Sequence, residues 1–161
     1  MSILFSGSEL LEVALGIEKN GTAFYQALAD KTKNKDAKAI YDYLAGEEKK
    51  HLNAFQGMLD SVGKYQPPES YPGEYMLYLK SLVDSTVFTD LTTAQRKAEK
   101  TSSETEALDI GIQAEKDSIL FYVEMQNLVS PPARKVVSGI IDEEKGHQKQ
   151  LSELKQAVQE S

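Results

Sequence analysis

The chain has 161 residues, 27% charged and 40% hydrophobic, with a formal net charge of -7 at pH 7, the balance of one water-soluble globular domain with its own core. It contains no cysteine, which excludes disulfides, zinc fingers, rubredoxin-type iron sites and thiolate iron–sulfur clusters, so any metal must be held by oxygen and nitrogen. The negative charge argues against nucleic acid as a partner, because neutralising phosphates needs a basic face. Met1 to Gly7 lacks a basic stretch leading into an apolar run, and no segment approaches the roughly 18 apolar residues of a membrane span. A cytoplasmic protein with no membrane segment is expected.

The pattern predicts a single domain over 1–161 with four long helices. The first runs over about 8–31, opened by the capping box Ser6-x-x-Glu9. The second covers about 36–62, starting near Asn34 or Asp36 and stopping at Gly63 ahead of Pro67-Pro68. A connector over about 63–103 follows, too long for a plain loop. Its apolar spacing from Tyr75 to Val83, and the Lys/Ala/Glu-rich stretch from Thr93 to Lys100, predict short helical pieces. The third long helix starts from the capping box Ser103-x-x-Glu106 and covers about 104–129; Ser130-Pro131 caps the fourth, about 131–158. Short gaps make each consecutive pair antiparallel. Two helical hairpins joined by one long, partly helical crossover is the connectivity of an all-α, ferritin-like four-helix bundle.

The hairpins also resemble each other. Ile17 to Tyr25 recurs as Ala114 to Tyr122, both carrying E-K-x-x-x-x-F-Y, at an offset of 97. Gly46 to His51 recurs as Asp142 to His147, both carrying E-E-K-x-H, at an offset of 96. Two such hairpins can pack about a pseudo-twofold axis that brings their marked positions together.

Helical periodicity puts Tyr41, Leu44, Glu48, His51, Leu52 and Phe55 on one face of the second helix, and Val137, Ile140, Ile141, Glu144, His147 and Leu151 on one face of the fourth. Glu47 and Glu143 fall toward the stripe edge, so Glu48 and Glu144 are the candidates. The first helix points Glu18 inward among Leu11, Leu15 and Tyr25, and the third points Glu115 inward among Leu108, Ile112 and Tyr122. Four carboxylates buried together would repel and desolvate unless they bound cations. Two divalent metals resolve this, since one Glu from each of two helices and Glu-x-x-His from each of the others is the ligand set of di-iron and di-manganese bundles. The metal candidates are therefore Glu18, Glu48, His51, Glu115, Glu144 and His147. Such a hard, mixed oxygen–nitrogen site favours two iron ions or manganese, with zinc as a substitute. A lone Glu-x-x-His is usually a solvated surface pair. Here both histidines of the chain follow a Glu on matching core-facing stripes.

Tyr25 and Tyr122 follow the inward Glu of their helices two turns along the same face. Each is either a core tyrosine with a satisfied hydroxyl or a donor to a ligating carboxylate that assists catalysis. Phe24, Phe121, Met58 and Met125 read as core. Tyr71, Tyr75 and Tyr78, with Glu74, either cover the bundle or meet a partner.

The two hairpin motifs resemble the rubrerythrin branch of the ferritin-like di-iron superfamily, from about residue 8 to 155. The resemblance implies mainly terminal ligation by Glu18 and Glu115, bridging by Glu48 and Glu144, and one nitrogen ligand per metal from His51 and His147. Rubrerythrins proper have an additional carboxylate where this chain has Ser118, so the redox-dependent ligand exchange tied to it is not carried over. They often include a rubredoxin-like cysteine domain; without one, electrons would come from a separate donor protein. Tyr71-Pro72-Gly73-Glu74-Tyr75 is similar to the ferritin-like domain attached to some membrane metal transporters. The expected function is reduction of hydrogen peroxide or dioxygen at a di-iron site. The alternatives are a ferroxidase or iron-binding and sensing module, and a bundle with no metal at all. A homodimer is a candidate assembly.

Overall fold

Each long helix carries one apolar face, and the fold buries all four faces against one another. The computed structural model describes residues 7–62 and 73–161, and among these the helices are α1 (Gly7–Lys31), α2 (Lys35–Val62), α3 (Gly73–Asp84), α4 (Leu91–Lys100), α5 (Glu104–Met125) and α6 (Pro131–Glu160). Residues 32–34 are too few for anything but a reversal, so α1 and α2 form an antiparallel hairpin; α5 and α6 form the second. The hairpins meet through α1 on α5 and α2 on α6. No helix among the described residues is long and apolar enough to cross a membrane.

Local chemistry sets most helix ends. Asn34 caps α2, its Oδ1 accepting from Ala37 N at 3.0 Å. Ser103 caps α5 by accepting from Glu106 N at 3.1 Å, while the Glu106 carboxylate reaches Ser102 N at 2.8 Å, one residue further out than a capping box places it. Ser130 occupies the cap position of α6 but makes no side-chain cap bond. The third long helix stops at Met125, short of the predicted 129. Leu128 and Val129 are buried and read as continuing periodicity, but the residue ahead of Pro131 is driven out of the helical region. The chain leaves the helix through tight turns, with Leu128 N donating to Met125 O at 2.9 Å. Ser6, Gly63, Pro67-Pro68 and Tyr71-Pro72, all given meaning by the sequence, lie outside the described residues.

The crossover lies against the α1/α5 side. Helix α3 packs on α5, and α4 packs on α1 with Ala94 and Ala98 fully buried. Lys31 binds carbonyls at the C-terminal end of α4, Glu99 O at 2.8 Å and that of Thr101, a favourable place for a cation. The bend between α3 and α4 is tied to α5 by Val87 N donating to Asp117 Oδ2 at 2.8 Å.

The apolar core is split in two. One cluster contains Leu15, Phe55, Phe121, Tyr122 and Ile141; the other contains Phe24, Tyr25, Leu44, Leu108 and Leu151. Along every long helix the residue between the two clusters at that level is a glutamate or a Glu-x-x-His pair. The fold thus sets aside one polar layer midway along the bundle.

Candidate metal centre

That layer is made by Glu18 from α1, Glu48 and His51 from α2, Glu115 from α5, and Glu144 and His147 from α6. All are 3% exposed or less. They form two overlapping groups whose ligand atoms lie within 4.8 Å of one another: Glu18, Glu48, His51 and Glu144, and Glu48, Glu115, Glu144 and His147. Glu48 and Glu144 belong to both. His51 Nδ1 lies 2.7 Å from Glu144 Oε1 and 3.6 Å from Glu18 Oε1. His147 Nδ1 lies 3.7 Å from Glu48 Oε1, 3.7 Å from Glu144 Oε2 and 3.9 Å from Glu115 Oε2. The imidazoles stack with centroids 5.6 Å apart, inclined by 22°.

The donor set fits a pair of cations. Glu18 Oε2, Glu48 Oε1, Glu115 Oε2, both Glu144 oxygens and both histidine Nδ1 atoms are buried without a hydrogen-bond partner. The 2.7 Å approach of His51 to Glu144 is an ionic contact that lacks hydrogen-bond alignment. Buried polar atoms are normally paired, at a cost of about 1–3 kcal/mol for each neutral one left alone and more for charges. Seven such atoms converging on one layer are what ligand atoms facing a cation would be.

The electrostatics agree. Burial, then the Glu48 and Glu144 carboxylates, push Glu18 far above the ordinary carboxylate range; burial, then Glu144 and Glu48, do the same to Glu115. Glu48 is raised by burial and Glu144. Glu144 is the exception: burial would raise it, but contacts from Glu115, His147 and His51 hold it low. His147 would be lowered by burial, yet Glu144 and Glu48 lift it to about 9. A cluster that keeps protons this firmly is short of positive charge.

Three surrounding contacts were less legible. Tyr25 Oη donates to Glu115 Oε1 at 2.6 Å, and Tyr122 Oη to Glu18 Oε1 at 2.7 Å. Both tyrosines therefore bind cluster carboxylates, each reaching the opposite hairpin. Glu143, which falls at the stripe edge in sequence, places Oε2 2.6 Å from His51 Nε2. Its repeat counterpart Glu47 pairs with Lys50 at 2.6 Å instead, so the repeat is broken in the layer outside the cluster. The doubled glutamate of both E-E-K-x-H motifs was the available signal. Lastly, a Cβ at Gly21 would lie 2.9 Å from Glu48 Oε2. Of the connector tyrosines, Tyr78 is exposed; the Tyr71 and Tyr75 side chains lie outside the description.

An all-α bundle of two hairpins around a buried carboxylate–histidine layer defines a ferritin-like di-iron carboxylate protein. The rubrerythrin family model matches residues 9–155, and the chain belongs to that family. A solved structure from Thermotoga maritima, that of a ferritin-like diiron-carboxylate protein, is similar to 94% of this chain and 95% of its own, with 33% identity and a TM-score of 0.69. None of the curated proteins compared matches. Family membership implies iron binding.

Proposed function

We propose that this protein is an oxidoreductase that binds two iron ions and reduces hydrogen peroxide or dioxygen with electrons from a separate donor protein, in the cytoplasm. The carrying observation is the overlap of the two groups at Glu48 and Glu144, which lets one carboxylate pair serve both ions. In this reading Glu18 with His51, and Glu115 with His147, complete the two coordination sets. With hydrogen peroxide, bound iron would supply two electrons to split the O–O bond, with two protons taken up to give two waters, and would be recharged by the donor; with dioxygen the same two electrons and two protons would give hydrogen peroxide.

The chain's own residues hold and orient. Tyr25 and Tyr122 fix one oxygen of Glu115 and of Glu18, leaving the other free toward the centre. Glu143 on His51 Nε2 puts the proton on that nitrogen and leaves Nδ1 as the donor to metal. The aromatic contact Phe55–Tyr122, with centroids 5.1 Å apart, helps close one apolar end against water. Manganese or zinc would fit the same donors as substitutes.

A second reading, ferroxidase or iron handling, is favoured by the open cleft at His147, rimmed by Glu47, Glu143 and Glu153. Stopped-flow absorbance after adding stoichiometric peroxide to the anaerobic ferrous protein tests the first reading. Rapid oxidation, with sustained peroxide consumption once a reductant is supplied, is the expected result. Oxidation of many irons without sustained consumption supports the second reading, and oxidation no faster than in a metal-free control rejects the peroxide-reducing and ferroxidase readings and leaves only iron handling.

A further inference from the structure

Among the described residues, two openings that approach the cluster differ in chemistry. On the α2/α6 side is the acidic cleft of about 540 Å³, and of the six clustered residues only His147 lines it. On the other side, where α1 faces the end of α3 and the bend that follows it, lies an outer cleft of about 340 Å³. It shares Ile17, Asn20, Thr86 and Phe88 with an inner cavity that ends on Glu48, Glu115 and Tyr25.

The inner cavity gives a water-sized molecule about 20 Å³ to move in, little more than one water needs. It stays open because two small residues form its wall, Gly21 and Ser118, each three positions beyond the inward glutamate of its helix. The Ser118 hydroxyl turns back onto Ala114 O at 3.0 Å. Asp117 has both oxygens engaged, by Val87 N at 2.8 Å and Gln113 Nε2 at 2.9 Å. Asn20 differs from these: the residue is 9% exposed, lines both cavity and cleft, and its side chain makes no hydrogen bond among the described residues. Its amide is not among the atoms sealed off without a partner, so a small molecule can reach it, and it lies on the path of anything moving inward.

We propose that this passage admits a neutral molecule of the size of hydrogen peroxide to the cluster, with Asn20 hydrogen-bonding it on the way. The oxidant's identity rests on the peroxide-reducing reading; the route rests on geometry alone. A cavity with room for little more than one water favours hydrogen peroxide over an organic hydroperoxide.

The test uses the ferrous-loaded full chain and reads entry without turnover, as the rate of nitric oxide binding by stopped-flow absorbance. Ser118→Leu and, on the connector side, Val87→Trp should each slow binding by about an order of magnitude with iron content unchanged. Val87 lies outside any helix, so its variant decides the matter if Ser118→Leu does not fold. Gly146→Leu, which narrows the acidic cleft where an added Cβ meets nothing within 4 Å, should change nothing. Asn20→Leu should slow oxidation by hydrogen peroxide but not entry of nitric oxide, which needs no hydrogen bond. Cumene hydroperoxide should react far more slowly than hydrogen peroxide. Slowing by Gly146→Leu and not by the wall variants, or equal rates for the two peroxides, overturns the route. If nitric oxide obeys the wall variants while no oxidant is reduced, the route stands and the peroxide-reducing reading fails.

Discussion

Tyr25 on α1 hydrogen-bonds Glu115 of the other hairpin at 2.6 Å, not Glu18 two turns away on its own helix. Tyr122 makes the reciprocal contact with Glu18 at 2.7 Å. The two phenols are thus cross-hairpin ties as well as carboxylate anchors, and folding of one hairpin completes the polar layer of the other.

This crossing has a measurable signature. In the metal-free protein, Tyr25→Phe leaves a buried carboxylate oxygen without its donor and should cost about 1–3 kcal/mol. A double-mutant cycle by urea denaturation, pairing Tyr25→Phe with Glu115→Gln, should show coupling of about 1 kcal/mol or more, whereas Tyr25→Phe with Glu18→Gln should add nearly independently. The reverse ranking would mean that the phenols serve their own helices.

Without metal, stability should fall as pH rises. Glu18, Glu115 and Glu48 have folded-state values above the ordinary 4.5, and His147 stands at about 9 against an ordinary 6.5. Raised groups contribute stability that is complete below their unfolded value and lost as pH climbs through the folded one. Glu144 acts oppositely, contributing above the ordinary carboxylate range, but within the cluster it is one group against five, since His51 is raised as well. Urea midpoints in chelator should therefore decline between about pH 5 and 9. Saturating manganese should flatten the decline, since the cations replace the retained protons and binding releases them. A rising chelated profile would contradict the electrostatic picture.

Much of this was legible because the polar layer interrupts otherwise regular apolar stripes. Periodicity alone placed Glu18, Glu48, Glu115 and Glu144 facing inward, and the repeat supplied the reason for them to meet. Periodicity could not see the stop at Met125, because Leu128 and Val129 remain buried in turns and satisfy the same spacing. It could not choose the partner of Tyr25 either, since a shared face says which side a residue occupies and not which helix lies across from it. Glu143 was missed for a related reason: it is exposed, and contributes by reaching the outer nitrogen of a buried ring.

Glu143 and Glu47 occupy equivalent repeat positions, yet only Glu143 holds an imidazole. Glu143→Ala should weaken metal binding about 10- to 100-fold, the usual effect of losing an outer partner of a ligating histidine. Glu47→Ala should alter it little. Chelator competition monitored by metal release compares the two, and equal effects would show that the asymmetry does not matter to the site.

Gly21 separates the needs of the site from those of the helix. Alanine is favoured over glycine within a helix by about 1 kcal/mol, and Gly139→Ala on α6, where a Cβ meets nothing within 4 Å, should gain roughly that amount. At Gly21 the same methyl would sit 2.9 Å from Glu48 Oε2. The flexible Glu48 side chain can yield, so Gly21→Ala should fold and lose little stability in chelator. Yet Glu48 belongs to both ligand groups, and moving its carboxylate by a few tenths of an ångström disturbs two coordination sets at once. Metal affinity should therefore drop about tenfold or more while metal-free stability holds, read by chelator competition beside urea denaturation. Unchanged affinity in Gly21→Ala would mean that Glu48 does not need its present position to bind.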